Sequence, residues 1–96
     1  AVGSTYNYAA PLYQRILHAY AAGDLATAQK AQAEAQAFID IMKRHGGLAA
    51  GKAIMKLIGL DCGPVRLPLR TPTPVTVAAL RADLTATGFF DYASVV

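Results

Sequence analysis

Cysteine occurs once in the 96-residue sequence, at Cys62. A single thiol excludes an internal disulfide, and such sparing use fits a reducing compartment. Charge is also scarce. Asp, Glu, Lys and Arg make up 16% of the residues, where ordinary globular chains carry roughly 25%. Together with 54% hydrophobic residues and a mean hydropathy of +0.30, that scarcity excludes an intrinsically disordered tail. The net charge of +3 is small and scattered, so there is no basic stripe with interleaved aromatics of the kind nucleic-acid binding needs. No stretch approaches about 18 apolar residues without a polar break, so a spanning helix is not expected. No basic segment leading into an apolar one opens the chain, so no secretory signal is expected.

Alanine is what the chain has in quantity, at twenty positions. Ninety-six residues set a prior of at most one domain. A chain of this length hides only about 60–65% of its unfolded surface, and alanine adds little burial per residue. A closed, self-sufficient core is therefore expected to be hard to build, and the apolar surface is expected to meet a partner. Ala1-Val2-Gly3-Ser4 reads as the end of a buried strand running into a loop, as though the chain began inside a larger fold.

From there the pattern is helical. Pro11 suits the first turn of a helix, and Leu12, Ile16, Ala19 and Tyr20 follow at spacings of three and four. Gly23 should end that helix and Asp24 should cap a longer one, lined by Leu25, Ala28, Ala35, Phe38, Ile39 and Met42. Lys43, Arg44 and His45 complement its final turn before Gly46-Gly47. A third helix is predicted from Leu48 to Ile58, with Gly59 as its cap. Residues 61–74 differ in kind: Pro64, Pro68, Pro72 and Pro74 forbid helix and favour an extended strap. Val65, Leu67 and Leu69 alternate with Arg66, Pro68 and Arg70, so one side of the strap should lie on apolar surface. Thr73 and Pro74 then open a last helix carrying Val77, Leu80 and Leu84, which Gly88 closes. Phe89, Phe90 and Tyr92 form an aromatic tail that needs a pocket. The fold class is all-α: a small antiparallel helical subdomain with a proline-rich strap.

The side chains assemble no active site by themselves. Gly3-Ser4-Thr5-Tyr6-Asn7 is either a capping loop or a place where amides and hydroxyls hold a carboxylate or phosphate. His18 and His45 have no carboxylate or cysteine at metal or triad spacing and read as structural. Cys62 reads as a buried, inert thiol. Lys52 and Lys56, one turn apart, read as a solvated or ion-paired face; a desolvated lysine able to form a Schiff base is the alternative. The aspartates are too widely spread to pair. Arg66 is expected to tie the strap to a helix-end carbonyl, with anion clamping as the alternative. No metal site and no cofactor is indicated.

Several motifs resemble one family. Gly3-Ser4-Thr5-Tyr6-Asn7, Gly23-Asp24-Leu25 with Ala28-Gln29, Gly51-Lys52-Ala53-Ile54-Met55-Lys56, Asp61-Cys62-Gly63-Pro64-Val65-Arg66-Leu67-Pro68-Leu69 and Gly88-Phe89-Phe90-Asp91-Tyr92 are similar to N-acetylneuraminate lyases, a branch of the dihydrodipicolinate synthase superfamily. The resemblance covers almost the whole chain in order and spacing. It implies a truncation, the C-terminal part of a parent (β/α)8 TIM barrel, with residues 1–7 as the end of the last strand and its loop and residues 8–96 as the C-terminal helical subdomain.

Barrel active sites lie on loops at the C-terminal ends of strands, and Gly3 and Ser4 fall at such a place. The family's serine in this motif contacts the sugar acid, so the resemblance assigns substrate binding to Ser4 and Gly3, and loop shaping to Thr5, Tyr6 and Asn7. The imine-forming lysine, the proton-transfer tyrosine and the carboxylate-binding loop of the family lie on earlier strands. This chain alone is then expected to have no catalytic residue and no activity. Its expected partners are the remainder of its own barrel, a small sugar acid, and further copies in a cytoplasmic tetramer. Three functions stay open: the C-terminal piece of a sialic acid lyase, the same piece of another 2-oxo acid aldolase such as a dihydrodipicolinate synthase, and a non-enzymatic helical interaction module.

Overall fold

A computed structural model describes residues 2–96; Ala1, placed by the sequence at a strand end, lies outside the described residues. Among the described residues there are five helices and no strand: α1 (Tyr6–Ala21), α2 (Leu25–Arg44), α3 (Leu48–Leu57), α4 (Pro74–Ala86) and α5 (Phe89–Tyr92). The all-α reading holds.

Three helices end in the same way. Past the C-terminus of α1, α2 and α3, Gly23, Gly46 and Gly59 adopt φ of +76°, +107° and +115°, a region that costs residues with a Cβ. The next amide turns back onto the helix: Asp24 to the Ala19 carbonyl at 2.9 Å, Gly47 to Met42 at 3.0 Å and Leu60 to Met55 at 2.9 Å. These are Schellman closures, which satisfy carbonyls the helix leaves orphaned. The starts are equally legible. Asp24 accepts the Thr27 amide at 3.1 Å, and Thr73 accepts the Thr76 amide at 3.2 Å with Pro74 in the first helical position.

α1 begins five residues ahead of Pro11, earlier than expected. Ala9 leaves helical geometry (φ −132°, ψ 23°), so a short turn over Tyr6–Tyr8 joins the main helix at a kink. Pro11 sits just beyond that joint, where its missing N–H costs nothing. The three-residue connection Ala22–Asp24 folds α1 and α2 into an antiparallel hairpin: Tyr8 meets Met42, while Arg15 further along α1 pairs with Glu34 further back on α2.

The core is small yet continuous, so the expected difficulty of closing one is overcome. Phe38 of α2 is its centre, with Tyr8, Phe89 and Tyr92 at ring-centroid distances of 6.3, 5.5 and 6.4 Å. Leu12, Ile54, Leu80 and Leu84 are fully buried around it. Ala31, Ala35 and Ala50 let helices approach closely. The aromatic tail thus finds its pocket, although Phe90 stays partly exposed. On α2 the buried stripe is Ala28, Ala31, Ala35, Phe38 and Ile41. Leu25, expected to line it, is exposed because the hairpin tip projects beyond the other helices in a molecule of 44 × 26 × 23 Å.

Residues 60–73 are neither helix nor strand, and polar ties hold them where apolar contact was expected. Lys52 donates to the Pro64 carbonyl at 2.9 Å and the Cys62 carbonyl at 3.4 Å. Lys56 pairs with Asp61 at 3.1 Å. Leu67 is 87% exposed and Leu69 is exposed as well, because the backbone turns at Leu67-Pro68. Arg66 has no hydrogen-bond partner for its guanidinium among the described residues, so the expected tie to a helix end is not made. His45 does take a structural role: its ring lies 2.7 Å from Asp83 and joins the end of α2 to α4.

Candidate functional site

Gly3 and Ser4 form the turn that feeds α1. The amides of Tyr6, Asn7 and Tyr8 donate to the carbonyls of Gly3, Ser4 and Thr5 at 3.3, 3.2 and 3.4 Å, so the helix winds directly out of the loop. The loop's own side chains are left available. Ser4 and Asn7 are exposed, and the Thr5 hydroxyl accepts from Tyr13 at 2.9 Å. Gly3 leaves room for the ring of Tyr6, which a Cβ would meet at 3.2 Å.

Ser4 opens onto a cleft of about 320 Å³ between the start of α1 and α3, shared with Asn7, Tyr8, Gly51, Lys52 and Cys62. Tyr8 forms its buried wall. Its hydroxyl donates to the Met42 sulfur at 2.8 Å, and burial pushes its pKa above the ordinary value, partly offset by the nearby Ser4 hydroxyl. Gly51 makes that placement possible, because a Cβ there would stand 3.3 Å from the Tyr8 oxygen.

Cys62 is exposed, correcting the expectation of a buried thiol. The Asp61–Gly63 turn, closed by the Gly63 amide on Asp61 at 2.9 Å, aims the Cys62 carbonyl toward Lys52. That amide and the Lys56 ammonium hold the Asp61 carboxyl below the usual carboxylate range. Of the sequence-predicted pair, Ser4 is thus brought into one cleft with Lys52 and Cys62, Gly3 precedes it against the Tyr6 ring, and His18 and His45 lie elsewhere. Tyr8 and Met42 were missed as cleft residues; the only sequence signal was the position of Tyr8 directly after the polar loop.

Chemically, the cleft offers the exposed Ser4 hydroxyl and Asn7 carboxamide as hydrogen-bonding groups, beside the Lys52 ammonium that is held by two carbonyls. Among the described residues no three His, Cys, Asp or Glu side chains come together as a metal site would require.

A sequence profile of the dihydrodipicolinate synthetase family matches residues 1–87. The chain belongs to the dihydrodipicolinate synthetase family. Relatives in that family include proteins of two named activities. The mouse N-acetylneuraminate lyase is 40% identical over 99% of this chain and 30% of its own length. The 4-hydroxy-tetrahydrodipicolinate synthase of Mycolicibacterium paratuberculosis is 41% identical over 81% of this chain and 26% of its own. The Proteus mirabilis N-acetylneuraminate lyase superposes with a TM-score of 0.86 at 42% identity, covering 93% of this chain and 30% of that one. The chain therefore spans less than a third of the length of these family members.

Proposed function

We propose that this chain is the C-terminal helical segment of a class I, Schiff-base aldolase of the sialic acid type, whose whole protein cleaves N-acetylneuraminate to N-acetylmannosamine and pyruvate. The observation that carries the reading is the agreement with the Proteus mirabilis lyase in both fold and sequence over 93% of the chain. In this reading the segment supplies one wall of the site. Ser4, on the exposed turn that feeds α1, contacts the sugar acid, and Gly3 lets that turn pass close to it. The remaining barrel supplies the imine-forming lysine.

The state of the two central lysines supports that division. An imine requires an amine that is free to reach a carbonyl carbon. Lys56 is exposed and paired with Asp61 at 3.1 Å, and Lys52 donates to the Cys62 and Pro64 carbonyls, so both nitrogens are already engaged by their own chain. Both are anchors for residues 60–73.

A second reading keeps the pyruvate chemistry and changes the other substrate to aspartate semialdehyde. It is favoured by the 41% identity to the Mycolicibacterium paratuberculosis synthase. The test is to assay the whole protein that contains these residues against N-acetylneuraminate, and separately against pyruvate with aspartate semialdehyde. Cleavage of the first alone, with pyruvate trapped on the protein by borohydride, is the expected result. Turnover of only the second would move the assignment to the synthase branch. Failure to trap pyruvate would leave a helical interaction module as the surviving account.

A further inference from the structure

The two ends of the described chain meet at the joint in α1. The Ser94 amide donates to the Tyr8 carbonyl at 2.9 Å, and the Ser94 hydroxyl accepts the Ala10 amide at 3.2 Å across a separation of 84 residues. These bonds straddle Ala9, where the helix leaves helical geometry. On one side of Ala9 lies the Tyr6–Tyr8 turn, bonded to Gly3, Ser4 and Thr5. On the other lies the main body of α1, clamped into the core by Leu12. A helix interrupted here has a backbone donor and acceptor that its own ladder does not serve in the usual way. Two side-chain contacts also cross the joint, the Tyr13 hydroxyl donating to Thr5 at 2.9 Å and the rings of Tyr6 and Tyr13 set edge-on at 4.9 Å. Ser94 itself is anchored, because Tyr92 and Phe89 just before it are buried against Phe38.

We infer that Ser94 is a positioning residue for the substrate loop: by fastening both sides of the Ala9 joint it fixes the angle at which Ser4 enters the cleft. The inference rests on the reading of Ser4 as a substrate contact. A small angular change at Ala9 is carried along the turn to Ser4, and displacement by about 1 Å of a group that orients substrate costs up to about a hundredfold in rate. The contact is made to bound substrate before and during reaction, so its loss falls on KM more than on kcat.

The experiment measures kcat and KM for N-acetylneuraminate in the whole enzyme, together with thermal midpoints. Ser94→Ala is expected to raise KM about tenfold, the weight of a hydrogen bond lost, with kcat within about twofold. Ser94→Thr keeps the acceptor oxygen and should restore KM. In a Ser4→Ala background Ser94→Ala should add no further rise, because both act through one contact. Ser94→Cys, nearly the same size with a weaker acceptor, should raise KM several-fold while remaining folded, and serves if the alanine variant does not fold. A folded Ser94→Ala or Ser94→Cys enzyme with normal KM, or one whose midpoint falls while KM stays unchanged, overturns the inference. If Ser4→Ala itself leaves KM unchanged, the reading of Ser4 fails instead, and the two failures are told apart.

Discussion

Among the described residues the hydroxyl of Tyr92 is buried with no hydrogen-bond partner, on a ring packed against Phe38 and Phe89. An orphaned buried hydroxyl costs about 1–3 kcal/mol of desolvation. Removing it in Tyr92→Phe should therefore stabilise the fold, by about 1 kcal/mol, visible as a higher urea midpoint at pH 8. The pH dependence carries the same signature. Burial first, then the charge of Glu34, pushes the Tyr92 pKa from 10.0 up to about 12. Below pH 10 the phenol is neutral both folded and unfolded and contributes no slope. Between pH 10 and 12 the unfolded chain gives up its proton while the folded chain keeps it, so stability falls as pH rises, by up to about 1.4 kcal/mol per pH unit. Comparing wild type with Tyr92→Phe at pH 8 and pH 11 isolates this group from the lysines, which both proteins share. The stabilisation should be larger at pH 11. Equal stabilisation at both values would show that the hydroxyl finds solvent or a partner.

At the scale of elements, α3 makes the most pointed demand on a single position. Gly51 lies inside a helix, where alanine ordinarily gains about 1 kcal/mol. Here the added methyl would stand 3.3 Å from the Tyr8 oxygen, and Tyr8 is only 2% exposed, with its ring set edge-on to Phe38. The ring, held edge-on to Phe38 with its hydroxyl on Met42, must give by a few tenths of an ångström, and overpacking costs about 1–3 kcal/mol. Gly51→Ala should lower the thermal midpoint by several degrees, where helix propensity alone would raise it. A raised midpoint would mean that Tyr8 is free to move.

The same elements show what the sequence made legible. Helix ends were readable because their chemistry is local: Gly23, Gly46 and Gly59 supply the left-handed turn, and Asp24 and Thr73 supply the capping oxygen. Thr73→Ala, which removes one such cap, should cost about 1 kcal/mol by urea unfolding. What stayed hidden was tertiary. The early part of α1 is met at its kink by Ser94, 84 residues away in sequence from Ala10. The exposure of Cys62 goes with polar anchors sent from α3 by Lys52 and Lys56, and that of Leu67 with the turn at Leu67-Pro68; alternation of apolar residues carries no trace of either. Ser4 and Gly3 were singled out by motif resemblance, while the Tyr8 wall of the cleft that Ser4 lines is set by tertiary packing.

For the whole molecule, the distribution of exposed apolar side chains sets the expected behaviour. The core closes around Phe38, yet Leu17, Tyr20 and Leu25 stand 68%, 70% and 54% exposed at the hairpin tip. Further along α1, Tyr6, Tyr13, Ile16 and Leu17 line an open groove of about 560 Å³. Scattered apolar residues are ordinary on a surface, but an apolar groove with large exposed side chains at its end marks a contact with something else. The chain spans about 30% of the Proteus mirabilis lyase, and under the function proposed above the cover is the rest of the barrel. The 96-residue segment made alone should therefore self-associate as its concentration rises, as read by sedimentation. Replacing Leu17, Tyr20 and Leu25 together by Glu should leave a monomer whose thermal midpoint is nearly unchanged, because none of the three contributes to the core. In the whole protein the same triple change should weaken assembly, since the charges would then be trapped against apolar surface without partners. A wild-type segment that stays monodisperse and monomeric at high concentration would show that α1 and the hairpin tip tolerate water, and that the segment is a domain in its own right.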